Sequence, residues 1–273
     1  MNNLNIAFIS HGGGPMPLFD DTAHLEMIGY LKSLSASLPK PNAILMISAH
    51  WEEKEVCVTA SEKPSMIYDY YGFPELAYQI KYPSPGEPYL AKKVYQALHN
   101  AAIPVKLALQ RGYDHGVYVP LTLMYPDADI PVIQISLLNT LDAEQHIAIG
   151  KALQALEYDN LLVVGSGFTF HNMNEFKTFN NDIHKQNSKL KNDQFEDWLQ
   201  KTLGDKTLSE SERSKQLIEW DKAPHARFCH PREEHLLPLQ VCYGLAGRAS
   251  DEHESVTIMN KRSSSFVWRN EHN

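Results

Sequence analysis

Cysteine is scarce in this chain, which has only Cys57, Cys229 and Cys242 among its 273 residues. An odd number of widely separated cysteines fits neither a disulfide framework nor a zinc site of the CxxC type. We therefore expect three reduced thiols that take no part in the chemistry.

Long apolar runs and an excess of basic residues are also lacking. No stretch approaches the roughly 20 apolar residues of a membrane span, and the start of the chain has neither the length nor the basic residues of a secretory signal. The formal net charge of −8 provides no positive field for a phosphate backbone. We therefore expect a cytoplasmic protein that binds neither nucleic acid nor membrane, and the oligomeric state stays open.

What is present is typical of a folded α/β protein, with 43% hydrophobic and 21% charged residues. Short apolar runs predict buried strands, and periodic apolar positions between them predict helices. The predicted strands are residues 5–10, 43–48, 132–137 and 161–165, and the predicted helices are 23–38, 89–99 with Pro88 in the first turn, and 142–156. Alternating strands and helices predict one α/β domain, residues 1–273, with a largely parallel sheet.

The remaining segments are predicted to surround that sheet. Residues 181–203 and 209–220 read as polar helices in a surface excursion, 235–245 as a buried helix, and 264–269 as a closing strand at the sheet edge. Acidic runs at 52–55 and 251–254 are expected on solvated faces and loops. Residues 68–88 read as a long irregular loop that shapes a site, where Tyr70, Tyr71 and Phe73 line an aromatic pocket or simply pack the loop.

Histidine is unusually frequent, with 13 in the chain, and three of these residues follow predicted strands. His11 follows the first strand, His50 the second and His171 the fourth. Ligands bind at the carboxyl ends of parallel strands, so these side chains can meet there. Imidazole is a common ligand of zinc and non-heme iron, and the pattern therefore predicts a metal site.

Each of these histidines has a second interpretation. His11 stands in Ser-His-Gly-Gly-Gly-Pro, where the glycines also suit a phosphate-binding loop, although the lysine and hydroxyl residue of a P-loop are missing. His50 also fits a buried histidine whose ring is bonded to backbone at a strand end. His171 is either a ligand or a base beside the metal.

Two further regions offer candidates. His115, in Gly-Tyr-Asp-His-Gly, is by itself more typical of a turn than of a catalyst. His235 opens the apolar segment 235–245, so its side chain can point into the cleft, but spacing does not rank it above its neighbours His225, His230, Glu233 and Glu234. The six other histidines are expected on solvated or helix surfaces, without chemistry: His24, His99, His146, His184, His253 and His272.

With these segments in hand, the chain resembles the class III extradiol ring-cleavage dioxygenases, most closely their DOPA dioxygenase branch. Seven motifs in the family's order carry the resemblance. They are Ser-His-Gly-Gly-Gly-Pro at 10–15, Ser-Ala-His-Trp at 48–51, Tyr-Pro-Ser-Pro-Gly at 82–86, Gly-Tyr-Asp-His-Gly at 112–116, Met-Tyr-Pro-Asp-Ala-Asp-Ile-Pro at 124–131, Gly-Ser-Gly-Phe-Thr-Phe-His-Asn at 165–172 and Glu-His-Leu-Leu-Pro-Leu at 234–239.

The resemblance implies a central mixed sheet flanked by helices and a role for each candidate. His11, His50 and His235 would bind the metal, and His171 would act as an acid and base beside it or close a zinc site as fourth ligand. His115 would contact substrate or oxygen. The wider superfamily more often supplies a glutamate as third ligand, whereas this branch looks all-histidine, with Glu234 as the fallback ligand.

The expected reaction is insertion of O2 into a catecholic, DOPA-like ring with ring opening. Fe(II) is the expected cofactor, and Zn(II) can occupy the same ligands without the redox chemistry. The expected partners are a small catechol and O2, and the sequence does not specify which catechol. Two alternatives stay open, a zinc hydrolase that uses the same histidines and a metal-binding protein without turnover.

Overall fold

The structure, a computed structural model, describes residues 4–19, 21–176 and 182–270. Its strands are β1 (Leu4–Ser10), β2 (Ala43–Glu53), β3 (Val56–Thr59), β4 (Val105–Ala108), β5 (Val132–Leu138), β6 (Leu161–Gly167), β7 (Glu252–Ile258) and β8 (Lys261–Trp268). Its helices are α1 (Leu25–Ser37), α2 (Pro88–Asn100), α3 (His115–Met124), α4 (Ala143–Leu153), α5 (Asp182–Gly204), α6 (Glu210–Ile218), α7 (Ala226–Cys229) and α8 (Leu237–Ala246).

One mixed sheet contains all of these strands, in the order β4-β3-β5-β2-β6-β1-β8-β7. The pairs β1–β6, β2–β6, β2–β5 and β3–β4 are parallel, whereas β1–β8, β3–β5 and β7–β8 are antiparallel. Apolar clusters cover both faces, which is why the central strands are apolar without alternation. The predicted α/β class, with a mixed and largely parallel sheet flanked by helices, is confirmed.

The four strands predicted from apolar runs are all present, and three others were missed. The missed strands β3 and β4 have four residues each, too few for a clear pattern. The missed strand β7 begins with three exposed residues, Glu252, His253 and Glu254, so the acidic run expected as a loop is partly an edge strand. The prediction that residues 264–269 form the sheet edge was wrong, because β8 lies between β1 and β7.

The helix predictions hold with small shifts at the ends. Pro88 is in the first turn of α2, and Asp142 caps α4 by accepting a hydrogen bond from the main-chain N–H of Gln145 at 2.8 Å. The helix predicted from residue 181 is described from Asp182. It is more than a surface excursion, because Phe195, Leu199 and Leu203 of α5 are buried in the apolar core.

The fold brings the ends of three neighbouring strands to one place. In the order β2-β6-β1, Ser48 pairs with Ser166, and Ser10 pairs with Gly167. The histidines that follow these positions therefore start from the same edge of the sheet. Within the described ranges, every helix is too short or too polar to cross a bilayer.

Candidate metal centre

His11 leaves the end of β1 with a ring that is almost completely buried, at 1% exposure. Its Nδ1 lies 3.0 Å from Oγ of Ser166. That hydroxyl donates its hydrogen to the carbonyl of Gly116 at 2.5 Å, so toward His11 it can only accept. The proton of neutral His11 is therefore on Nδ1, and Nε2 offers a lone pair to the site.

His50 lies in a segment of β2 where the pairing with β5 is irregular. The register of β2 with β5 moves from Ile47–Ile135 to Glu52–Leu137, so the segment around His50 bulges out of the ladder. The bulge places Nε2 of His50 3.0 Å from Nε2 of His11. Two imidazole nitrogens that face each other this closely, without an intervening carboxylate, are suited to a shared cation.

Hydrogen bonds that involve Ser48 and Asp114, the residue just before α3, hold the main chain of His50 in place. The hydroxyl of Ser48 donates to the fully buried carboxylate of Asp114 at 2.7 Å and accepts from the main-chain N–H of His50 at 3.2 Å. Gly116 lies against this group, where an added Cβ would be 2.4 Å from Ser48 Oγ and 3.1 Å from Cδ2 of His50. A larger residue at position 116 would therefore have to displace the side chain of Ser48.

His235 and His171 share one carboxylate. Nδ1 of His235 lies 3.1 Å, and Nδ1 of His171 3.0 Å, from the same Oε1 of Glu234. The two rings stack with centroids 3.4 Å apart and planes inclined by 18°. Because both Nδ1 atoms face Glu234, both Nε2 atoms are left for the cleft.

His115 is the first residue of α3, rather than part of a simple turn. Oδ1 of Asp69 accepts hydrogen bonds from its main-chain N–H at 3.0 Å and from its Nδ1 at 2.8 Å. Its ring centroid is 3.9 Å from that of His50 and 5.3 Å from that of His11. The side chain therefore borders the same space as the candidate ligands.

Donor atoms of His11, His50 and His235 lie within 4.8 Å of one another. His171 falls in a different set of donor atoms, with Glu234 and His235, and His115 falls in a set with His50 and Asp69. The geometry thus separates three converging imidazoles from two that stand beside them.

The electrostatics suit neutral imidazoles. Burial lowers the pKa of His11 and of His50 well below the usual histidine value, and nearby imidazoles lower both further. Burial also lowers the pKa of His235, to about 3, although Glu234 opposes the shift. A neutral imidazole is the form that coordinates a metal ion, so the three residues fit the ion that the family resemblance implies.

Glu234 remains ionised in this arrangement. Burial would raise its pKa, but hydrogen bonds from His171 and His235 outweigh that effect and hold the pKa well below the usual range. Its second oxygen lies 3.3 Å from the guanidinium of Arg232. Glu234 therefore orients two rings from behind rather than facing the space where His11, His50 and His235 converge.

The other neighbours of His235 lie outside this cluster. His225 is on an exposed segment and hydrogen-bonds to Gln194 at 2.7 Å, and Glu233 pairs with Arg227 at 2.9 Å. His230 is fully buried, and its Nε2 donates to the carbonyl of Thr169 at 2.7 Å. Tertiary placement thus ranks candidates that sequence spacing did not.

Two histidines expected on the surface are buried. His24 is 1% exposed, and its ring accepts from the main-chain N–H of Gly13 at 2.9 Å, while its Nδ1 faces Asp21. His146 is fully buried on α4 and accepts from the main-chain N–H of Leu138 at 3.1 Å. Both expectations were wrong, because each ring accepts a hydrogen bond from a main-chain N–H inside the fold. His99, His184 and His253 lie on helix or strand surfaces, and His272 lies outside the described residues.

The sequence did not reveal the side chains that hydrogen-bond to the histidine rings at Nδ1. Asp69 lies in the irregular loop predicted to shape the site, and Ser166 lies within the glycine-rich motif that was read for His171. Neither has a sequence signal of its own, since an isolated acid or hydroxyl is common. The predicted aromatic lining is partly present: Tyr70 packs on Phe73 at 5.3 Å and lies 5.8 Å from the His115 ring, whereas Tyr71 is 91% exposed.

Comparison with known proteins gives a consistent result. Residues 6–266 match the family described as the catalytic LigB subunit of aromatic ring-opening dioxygenase. The chain belongs to this family. It is accordingly a metal-dependent extradiol ring-opening dioxygenase, and the family membership argues against both alternatives that the sequence left open.

Named relatives of this family cover most of the chain. A 4,5-DOPA dioxygenase extradiol of Beta vulgaris is 37% identical, over 89% of this chain and 87% of its own length. The protein of that name from Escherichia coli is 34% identical over 92% and 87%. A crystal structure of an uncharacterized protein from Escherichia coli K12 aligns with a TM-score of 0.74 at 27% identity, over 97% of this chain and 99% of that one.

Proposed function

We propose that the chain opens the ring of a catechol with O2, and that His11, His50 and His235 hold the metal ion for this reaction. The observation that carries the ligand assignment is the convergence of their donor atoms within 4.8 Å. Two ligands at right angles on an ion, each with a bond of about 2.1 Å, are roughly 3.0 Å apart. The separation of the Nε2 atoms of His11 and His50 is 3.0 Å.

The proposed metal is iron. Ferrous iron, when bound, supplies the redox chemistry that lets O2 react with an aromatic diol, which zinc does not supply. Zinc nevertheless suits three imidazoles and can occupy the same residues. Neutral rings held from behind, by Ser166 for His11 and by Glu234 for His235, are ready to coordinate either ion.

His171 is proposed as the acid and base. A catechol must lose hydroxyl protons before its ring can be oxidised, and a proton must return when the ring opens. His171 has its Nδ1 fixed by Glu234 at 3.0 Å and a side chain that is 21% exposed. Its Nε2 can thus exchange protons with a substrate in the cleft. His115 is proposed as a second helper that hydrogen-bonds to substrate or oxygen.

A DOPA-like catechol is the proposed substrate class. The support is the name shared by relatives from Beta vulgaris and Escherichia coli, together with the aromatic side chains of Tyr70 and Phe73 beside His115. The net charge of −8 supports small-molecule partners rather than nucleic acid. A cytoplasmic location remains a prediction from the sequence.

Reconstitution tests the reaction. The purified protein is loaded with Fe(II) without oxygen, mixed with DOPA or other catechols, and then exposed to O2. We expect equimolar consumption of O2 and catechol, with a yellow ring-opened product, and we expect none with zinc. Turnover by zinc-loaded protein without O2, or no turnover of any catechol by the iron form, contradicts the proposal.

Variants test the division of roles. His11→Ala and His50→Ala should lose both bound iron and ring cleavage, whereas His171→Ala should keep iron and lose ring cleavage by about 100-fold or more. His99→Ala, on the exposed face of α2, is the control and should keep both properties. Metal analysis and O2 uptake measure the two effects, and equal iron loss in His171→Ala would make His171 a ligand.

A further inference from the structure

We propose that Asp69 is a positioning residue that fixes the tautomer and direction of His115, so that Nε2 of His115 is the atom that meets the substrate. This inference deepens the proposed function and rests on it. Asp69 belongs to none of the motifs that linked the sequence to the family.

Two hydrogen bonds fix His115 to one carboxylate oxygen. Oδ1 of Asp69 accepts from the main-chain N–H of His115 at 3.0 Å and from Nδ1 of the ring at 2.8 Å. A backbone bond and a side-chain bond to the same atom restrict rotation of the ring about its first side-chain bonds. The direction of the imidazole is therefore set by Asp69 before any substrate arrives.

The same contact assigns the proton of the neutral ring. An ionised carboxylate only accepts hydrogen bonds, and Oδ1 of Asp69 already accepts one from the main-chain N–H of His115 at 3.0 Å. Nδ1 of His115 must therefore carry a hydrogen. Among the residues that the structure describes, the ring of His115 has no other hydrogen-bond partner, which leaves Nε2 for a substrate or oxygen.

Asp69 is itself held in place by its loop. The phenol of Tyr68 donates to the carbonyl of Ile80 at 2.6 Å, and the phenol of Tyr70 donates to the carbonyl of Ala77 at 2.5 Å. The main-chain N–H of Ile67 donates to the carbonyl of Tyr113 at 2.8 Å, which ties the loop to the start of α3. The residues on both sides of Asp69 are thus anchored, as a positioning residue requires.

The distances favour His115 over His50 as the group that Asp69 serves. Oδ2 of Asp69 lies 3.6 Å from Nδ1 of His50, beyond hydrogen-bond length, against 2.8 Å for His115. Loss of Asp69 should therefore alter His115 and leave the proposed ligand His50 able to bind metal. This difference separates a positioning role from a role in metal binding.

The first test reads the tautomer directly. Zinc-loaded protein with 15N-labelled histidine is studied by NMR, and the signals of His115 are assigned by their loss in His115→Phe. We expect a hydrogen on Nδ1 in the wild type, and loss of that preference in Asp69→Ala. A hydrogen on Nε2 in the neutral wild-type ring, or an unchanged tautomer in Asp69→Ala, overturns the proposal whether or not the iron form cleaves catechols.

The second test separates rate from metal binding. Asp69→Ala should keep its iron and lower kcat by about 10- to 100-fold, whereas Glu75→Gln, an exposed acid on the same loop, should change neither. In the His115→Phe background, Asp69→Ala should cause no further loss of kcat. Iron loss in parallel with kcat, or additive losses in the double variant, would overturn the assignment.

Asp69→Asn keeps the size and one oxygen acceptor of the side chain without its charge. It should give a kcat between those of the wild type and Asp69→Ala. If Asp69→Ala fails to fold, Asp69→Asn carries the test, and a kcat equal to that of the wild type then refutes the positioning role. Failure of the iron enzyme to cleave any catechol would instead refute the proposed function.

Discussion

Gly116→Ala tests whether close packing at the start of α3 builds the metal site. The new Cβ would lie 2.4 Å from Oγ of Ser48, 3.1 Å from Oδ1 of Asp114 and 3.1 Å from Cδ2 of His50. Ser48 can rotate away only by giving up its hydrogen bond to Asp114, which measures 2.7 Å. The substitution thus forces either a clash or a broken bond to a buried carboxylate.

The magnitude follows from three effects. Overpacking costs about 1–3 kcal/mol, and losing a hydrogen bond to a charged group costs about 1.5–3 kcal/mol. Alanine recovers up to about 1 kcal/mol relative to glycine inside a helix. Because the clash and the broken bond are alternatives, we expect the free energy of unfolding of Gly116→Ala to fall by roughly 0.5–3 kcal/mol.

Urea unfolding followed by circular dichroism measures this change, and metal titration measures the accompanying displacement of His50. Gly29→Ala in α1 is the matched control, because nothing lies within 4 Å of an added Cβ there. It should be up to about 1 kcal/mol more stable than the wild type. A Gly116→Ala protein with wild-type stability and wild-type metal affinity would refute the reasoning.

Three further predictions concern Ser166, Glu234 and the buried His230. Ser166→Ala should lower metal affinity by about 10-fold or more, because the ring of His11 loses the partner that fixes its tautomer; unchanged affinity in a competition titration would count against this. Glu234→Gln should lower kcat of the fully iron-loaded enzyme by about 10- to 100-fold, because a neutral amide holds His171 less firmly; a wild-type kcat at saturating catechol would contradict it. Burial lowers the pKa of the His230 imidazole in the folded protein from 6.5 to about 3. As the pH falls, the unfolded chain therefore binds a proton on this imidazole before the folded protein does. The free energy of unfolding should therefore decrease as the pH falls from 6.5 to 3. In His230→Gln this decrease, measured by urea unfolding at each pH, should be smaller by up to about 1.4 kcal/mol per pH unit. An equal pH dependence in both proteins would disprove the prediction.

Much of the fold was predictable because strand burial leaves a direct trace in sequence. The central strands are covered on both faces, so they read as short continuous apolar runs, such as 43–48 and 161–165. Edge strands leave no such trace. β4 has only four residues and is partly exposed, and β7 begins with polar residues that are exposed to solvent. Neither segment therefore shows a pattern that differs from loop sequence.

Candidate site residues were visible where the chemistry needs a rare residue type at a strand end. His11 and His50 stood out for this reason, and the motif order around them indicated the family, which the comparisons confirm. Their roles as ligands stay a prediction. Common residues such as Asp69 and Ser166 gave no signal, because their function depends on a neighbour far away in the chain.

The sequence by itself determined the fold class, the family and a small set of histidines, since apolar periodicity and rare residue types are properties of short segments. Only the tertiary structure decided that His230 packs inside the core while Glu234 stands behind His171 and His235. It also decided which nitrogen of His11 faces the site, because that depends on a hydroxyl from β6. Such contacts join residues that are more than 60 positions apart, or they distinguish residues that are adjacent in the chain. No local sequence pattern can therefore specify them.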